Sequence, residues 1–167
     1  MKWNQQTMLR HYCKRGRVAA ALVVALLLTG CGAPDQDEMA ASPGQADFNN
    51  HCAGCHGRLG QGRPPAFPPL DGSEWLELPP EALTSIILLG LRGDIEVAGK
   101  KYVGYMPPMT RLDDERVARI VNFVNDSWGA AAHSWRADDV AAVRAAVAGQ
   151  RAIRGREELD KLLEELP

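Results

Sequence analysis

The sequence lacks several features that would indicate common catalytic or metal sites. It has only one closely spaced cysteine pair, Cys52 and Cys55, which argues against a zinc ribbon because such sites use two pairs. No βαβ pattern surrounds the pair, as a thioredoxin-like redox site would require. Neither a glycine-rich phosphate loop nor a paired nucleophile and base is present. We therefore do not expect the chain to be an enzyme on its own.

The cysteine pair is followed directly by a histidine, in the run Cys52-Ala53-Gly54-Cys55-His56. This C-x-x-C-H spacing is typical of covalent haem attachment, in which both thiols add to the vinyl groups of one porphyrin and the histidine reaches the iron. The small residues between the cysteines let the backbone lie close to the macrocycle. The run predicts one covalent haem c, with His56 as an iron ligand.

The first 30 residues have the pattern of an export signal. An apolar run at 18–28 is too short for a comfortable membrane span and has the size of a signal-peptide core. It ends in Leu28-Thr29-Gly30-Cys31, which resembles the lipobox of bacterial lipoproteins and implies cleavage before Cys31 and lipid on that cysteine. The alternative is a retained N-terminal anchor, which is disfavoured because acidic residues, not a basic cluster, follow the run. The five basic residues before Cys31 are Lys2, Arg10, Lys14, Arg15 and Arg17.

Cleavage at that position changes the charge of the protein. The chain has 19 basic and 21 acidic residues, and losing those five basic ones leaves 14 against 21, a formal charge of −7. An acidic protein is a poor candidate for nucleic-acid binding. We expect it on the periplasmic side of a bacterial membrane, anchored through Cys31. Gly32, where some lipoproteins have aspartate, favours the outer membrane if the source is Gram-negative.

The chain divides into four segments by composition: a lipoprotein signal peptide at 1–30, an acidic tether at 31–42, a compact domain at 43–130 and a C-terminal helical extension at 131–167. In the domain, capping residues and helical periodicity predict helices at 43–50, 80–90 and 113–128. A small β-hairpin is predicted around Gly99, before Met106. The extension has two amphipathic candidates, 138–147 and 156–166. Isolated helices of that length are marginal in water, so they either pack on a surface or form a mobile tail.

The order of helix, haem motif, loop, helix, methionine loop and helix resembles the class I c-type cytochromes over residues 44–129. The resemblance implies a mainly α cytochrome c fold, with His56 and Met106 as axial iron ligands. It also implies that the Pro69 carbonyl accepts a hydrogen bond from the His56 ring. The residues that carry the resemblance, beside the haem motif, are Gly44, Phe48, Phe67, Pro68, Pro69, Leu70, Gly72, Tyr105, Met106, Pro107, Pro108 and Phe123.

Several residues near the predicted haem site have more than one possible role. Met109 and His133 are the alternatives to Met106, and His51 is expected at the surface. Trp75, Tyr102 and Tyr105 either hydrogen-bond a haem propionate or pack as half-buried aromatics. Lys100 and Lys101 are expected at a solvated hairpin turn rather than in a docking patch.

The resemblance implies a protein that passes single electrons between redox partners. One alternative is a cytochrome c subunit of a larger dehydrogenase, nitrite reductase or oxidase complex. Another is a haem sensor in which a gas displaces the methionine.

Overall fold

The computed structural model describes residues 41–129 and 134–166, so the signal segment, Cys31 and His133 lie outside the described part of the chain. The described residues are mainly helical with one small sheet, which agrees with the coarse fold class expected from the sequence. None of the helices described there is both long and apolar enough to cross a bilayer. The elements are α1 (Pro43–His51), α2 (Ala53–His56), a 3₁₀ helix (Glu74–Glu77), α3 (Pro80–Leu89), β1 (Leu91–Val97), β2 (Lys100–Met106), α4 (Asp114–Trp128), α5 (Ala137–Ala146), β3 (Ile153–Arg154) and α6 (Gly155–Glu165).

Helices α1 and α4 cross closely and form one wall of the core. At the crossing, Gly44 of α1 faces the Arg119 carbonyl of α4. Phe48 is fully buried, and its ring centroid lies 5.3 Å from that of Phe123. An ion pair of 2.8 Å between Arg119 and Asp47 also joins the two helices. The crossing fixes the end of α1, from which the haem motif continues.

Substituting Gly44 with alanine should destabilise the protein. The added Cβ would lie 2.6 Å from the Arg119 carbonyl oxygen and 3.0 Å from the Phe123 Cβ, so the helices must move apart. Overpacking of this kind costs about 1–3 kcal/mol. Chemical denaturation of the purified protein measures the loss. Gln45→Ala is the matched control because Gln45 is the next residue of the same helix and is exposed. Equal stability of the two variants would contradict the close crossing.

The sheet has the order β2-β1-β3. Strand β1 pairs with β2 in antiparallel register, with Leu91 opposite Met106. The left-handed backbone of Gly90, at φ 78°, allows the chain to leave α3 and enter β1. A Cβ at Gly90 would lie 2.5 Å from the Met106 carbonyl oxygen. The close approach places Met106 next to the end of α3.

Residues 134–166 pack on the rest of the described chain. Helix α5 contacts α3 and α4, and α6 contacts β1. Val140 and Leu159 are fully buried and belong to the same apolar core as Phe48. An ion pair of 2.6 Å joins Arg144 of α5 to Asp114 at the start of α4. This segment therefore contributes to the core that surrounds the candidate site.

Candidate functional site

A cavity of about 370 Å³ lies inside the fold. Its volume falls in the range of roughly 300–1,000 Å³ that small-molecule and cofactor sites occupy. Most of its wall is apolar and comes from α1, α3, α4 and the sheet, including Phe48, Ile86, Ile87, Ile95, Ile120 and Val124. Such a wall favours a large apolar group and excludes water from it.

The residues predicted from the sequence to hold the cofactor line this cavity. Cys52, at the junction of α1 and α2, is half-buried, and Cys55, within α2, is exposed; the two do not form a disulfide with each other. His56 ends α2, and Met106 ends β2. The fold thus brings two thiols, an imidazole and a thioether to one apolar cavity. This donor set fits a covalently attached haem with histidine and methionine as iron ligands.

The His56 ring is held by a backbone carbonyl. Its Nδ1 lies 3.1 Å from the carbonyl oxygen of Pro68. The prediction that Pro69 supplies this carbonyl is therefore wrong by one residue. Successive carbonyls of an extended proline segment point in different directions, so only one of the two can face the ring. The loop is fixed in this orientation because the Leu70 amide donates to the Gly60 carbonyl at 2.7 Å.

Burial lowers the pKa of His56, and the hydrogen bond to Pro68 opposes this effect. The lowered pKa favours the neutral imidazole. With Nδ1–H donating to Pro68, the lone pair resides on Nε2, which is the form that ligates a metal. The carbonyl thus sets both the tautomer and the orientation of the ring.

The environment of Cys52 favours the protonated thiol. Burial raises the pKa of the Cys52 thiol to about 12, with smaller contributions from Cys55 and Asp47. Redox-active and metal-binding cysteines instead need a lowered pKa. Within residues 41–129 and 134–166, no group of three or more His, Cys, Asp and Glu side chains is arranged to hold a metal ion.

Met106 and Met109 both line the cavity, and both are half-buried. Met106 precedes two prolines, which have no amide proton to join the sheet. Met109 is tied to α3, because its amide donates to the Ile87 carbonyl at 2.8 Å. Because both methionines line the cavity, both remain candidates for the iron ligand opposite His56.

The other predicted residues have mixed outcomes. The indole N–H of Trp75 donates to the Glu96 carbonyl at 2.8 Å, so that donor is not free for a propionate. Tyr102 is buried and Tyr105 is exposed, and both line the cavity. His51 is exposed at the cavity rim. Lys100 and Lys101 are exposed at the start of β2.

Arg92 lines the cavity as well, and sequence reasoning missed it. It lies in β1, two residues after Gly90. The sequence offers no signal for this role, since an arginine within a short strand ordinarily faces solvent.

Comparisons with known proteins agree with the geometry of the site. Residues 41–128 match the family model described as Cytochrome c. Over 82 residues, the chain is 48% identical to cytochrome c-552 of Thermus thermophilus, covering 47% of this chain and 63% of the relative. It is equally similar to the cytochrome c-552 of a named strain of the same species, of which it covers 55%. The chain thus spans less than two thirds of the length of either relative. The chain belongs to the cytochrome c family, whose cofactor is a covalently attached haem c.

Proposed function

We propose that the protein is a mono-haem electron carrier in which Cys52 and Cys55 form thioethers and His56 and Met106 are the axial ligands. The observation that carries the proposal is the His56 ring, held by Pro68 in the apolar cavity that both cysteines and Met106 also line. The chain contains a single C-x-x-C-H run, which corresponds to one haem. The bound haem supplies the chemistry, a one-electron change between ferrous and ferric iron.

The residues of the chain set the conditions for that electron transfer. The neutral His56 imidazole supplies a basic nitrogen, whose basicity the hydrogen bond to Pro68 raises. The thioether of Met106 is a soft ligand that favours ferrous iron and raises the potential. The apolar wall excludes water, which lowers the reorganisation that accompanies a change of charge. His56 and Met106 would together hold the iron, which would leave no coordination position for a substrate.

Exposed apolar side chains border the cavity and support docking of a redox protein. Val103 is 69% exposed and Tyr105 is 59% exposed, and both line the cavity. The two residues are separated by one position on β2 and therefore lie on the same face of the strand. Contiguous exposed apolar surface is typical of protein contact sites. A dehydrogenase, reductase or terminal oxidase would meet the protein there, as a free partner or within a larger complex.

A redox titration of the purified holoprotein tests the carrier function. We expect a single reversible transition with the slope of a one-electron couple. The reduced protein should also pass one electron per haem to an oxidised acceptor cytochrome. An irreversible reduction, or loss of the absorption spectrum on cycling, would refute the proposal.

The proposal includes a lipid anchor at Cys31, on the periplasmic side of a bacterial membrane and more specifically the outer membrane. Its support is the basic start, short apolar run and Leu-Thr-Gly-Cys pattern of the sequence. Each methylene buried in a bilayer contributes about 0.8 kcal/mol, and stable anchoring needs more than one acyl chain. A lipidated N-terminal cysteine meets that requirement.

Replacing Cys31 with serine should abolish lipid labelling and signal cleavage, because serine cannot form the thioether to lipid. Metabolic labelling with a fatty acid and the mass of the membrane-extracted protein measure this. Cys13→Ser, in the segment expected to be removed, is the control and should be lipidated normally. An unmodified Cys31 in the native protein would contradict the anchor.

A further inference from the structure

The strongest unexplained feature of the cavity is Arg92. Among the residues that line the cavity in the described part of the chain, it is the only arginine, lysine, aspartate or glutamate. Its Nε is buried and has no hydrogen-bond acceptor among the described residues. No ion pair there includes this side chain.

An arginine cannot relieve this situation by losing its proton, because the guanidinium is charged at any pH that a protein tolerates. A buried charged donor without an acceptor is unfavourable. Arg92 as a whole is half-buried, but its buried Nε lacks an acceptor, and an anionic acceptor is the strongest partner for a guanidinium.

The neighbouring protein groups do not supply that anion. Tyr105 is opposite Arg92 on β2, and Arg154, a second cation, is its register partner on β3. Asp94, two residues along β1, is exposed. Glu158 of α6 accepts a hydrogen bond from the Arg154 amide at 2.9 Å. Among the described residues, no carboxylate of these strands lines the cavity beside Arg92.

The family cofactor carries two propionate groups, and no other arginine or lysine among the described residues lines the wall. We propose that the Arg92 guanidinium binds a haem propionate, with Nε–H as one of its donors. Hydrogen bonds between arginine and a carboxylate are charge-assisted and geometrically specific. The proposal rests on haem occupying this cavity, as the proposed function holds. In this arrangement, the haem edge that carries the propionates lies next to the start of β1, where Arg92 is located.

The contact has a consequence for the reduction potential. A negative propionate stabilises ferric iron, which carries one more positive charge than ferrous iron. Arg92 offsets that negative charge and so favours the ferrous state. Removal of the guanidinium should therefore lower the potential.

The direct test is nuclear magnetic resonance of the ¹⁵N-labelled ferrous holoprotein. We expect a dipolar contact between the Arg92 Nε–H and the propionate methylene protons. Its absence, with the Arg92 Nε–H resonance assigned, would overturn the proposal. The test needs no substitution, so it does not depend on a variant that folds.

Variants supply a second test through the midpoint potential. Arg92→Gln should lower the potential, and Arg92→Lys, which keeps the charge, should recover part of the shift. Arg154→Gln is the matched control, because it removes the same charge from an exposed residue in register with Arg92 but outside the cavity wall. At high ionic strength, we expect Arg154→Gln to change the midpoint potential clearly less than Arg92→Gln does.

Equal shifts in Arg92→Gln and Arg154→Gln would refute the propionate contact. The ferric methionine–iron absorption should be recorded in the wild type and each variant. If that band and reversible reduction persist while the two shifts are equal, the Arg92 contact fails and the carrier function stands. If the wild type lacks the band or reversible reduction, the proposed function itself fails.

Discussion

Protein with both Cys52 and Cys55 replaced by alanine should retain no haem after denaturation, whereas the wild type should retain all of it. The reason is chemical, since the proposed thioethers are the covalent links between chain and porphyrin. Haem staining of a denaturing gel and the intact mass of the purified protein measure the loss. We also expect a poorly folded chain, because the 370 Å³ cavity would then have no covalently held occupant.

The matched control is His51→Ala, which changes an exposed neighbour of Cys52 and should keep the full haem mass. Extraction with acidified acetone distinguishes covalently attached haem from haem that is held only by non-covalent contacts. Haem that leaves the wild-type chain intact in acetone would show that no covalent bond exists.

Substitution of Met106 by alanine should abolish the sulfur-to-iron absorption near the red edge of the ferric spectrum and lower the reduction potential. Loss of a soft thioether ligand destabilises ferrous iron relative to ferric iron. Axial ligands set haem potentials over a range of about 0.8 V, so we expect this to be the largest potential shift of any single substitution considered. Spectroelectrochemistry records both effects in one experiment.

Met109→Ala is the control, since Met109 lines the same cavity and is equally half-buried. It should keep the absorption band and change the potential little. If Met109→Ala loses the band and Met106→Ala keeps it, the ligand assignment is reversed.

Elements with strong local signals could be placed from the sequence, and those that depend on distant contacts could not. Helix α3 begins at Pro80, where proline suits the first turn, and ends before Gly90, as its apolar periodicity predicts. Strand β3 has only two residues, and its pairing with Leu91 is a contact distant in sequence. No periodicity can be read from so short a segment.

The residues that line the cavity could likewise be predicted only in part from the sequence. The C-x-x-C-H run and the methionine loop identified four groups that meet at its wall. The choice between Pro68 and Pro69 depended on how a loop folds, and local pattern does not encode the direction in which a carbonyl points. Arg92 was not recognised because only the fold reveals that its Nε is buried.

Exposure of the ferrous holoprotein to carbon monoxide tests the central claim most directly, namely that side chains fill both axial positions of the haem and leave it only electron transfer. We expect the ferrous absorption spectrum to remain unchanged at neutral pH. A rapid shift to a carbon monoxide spectrum would show an open or easily vacated position and would contradict the carrier function.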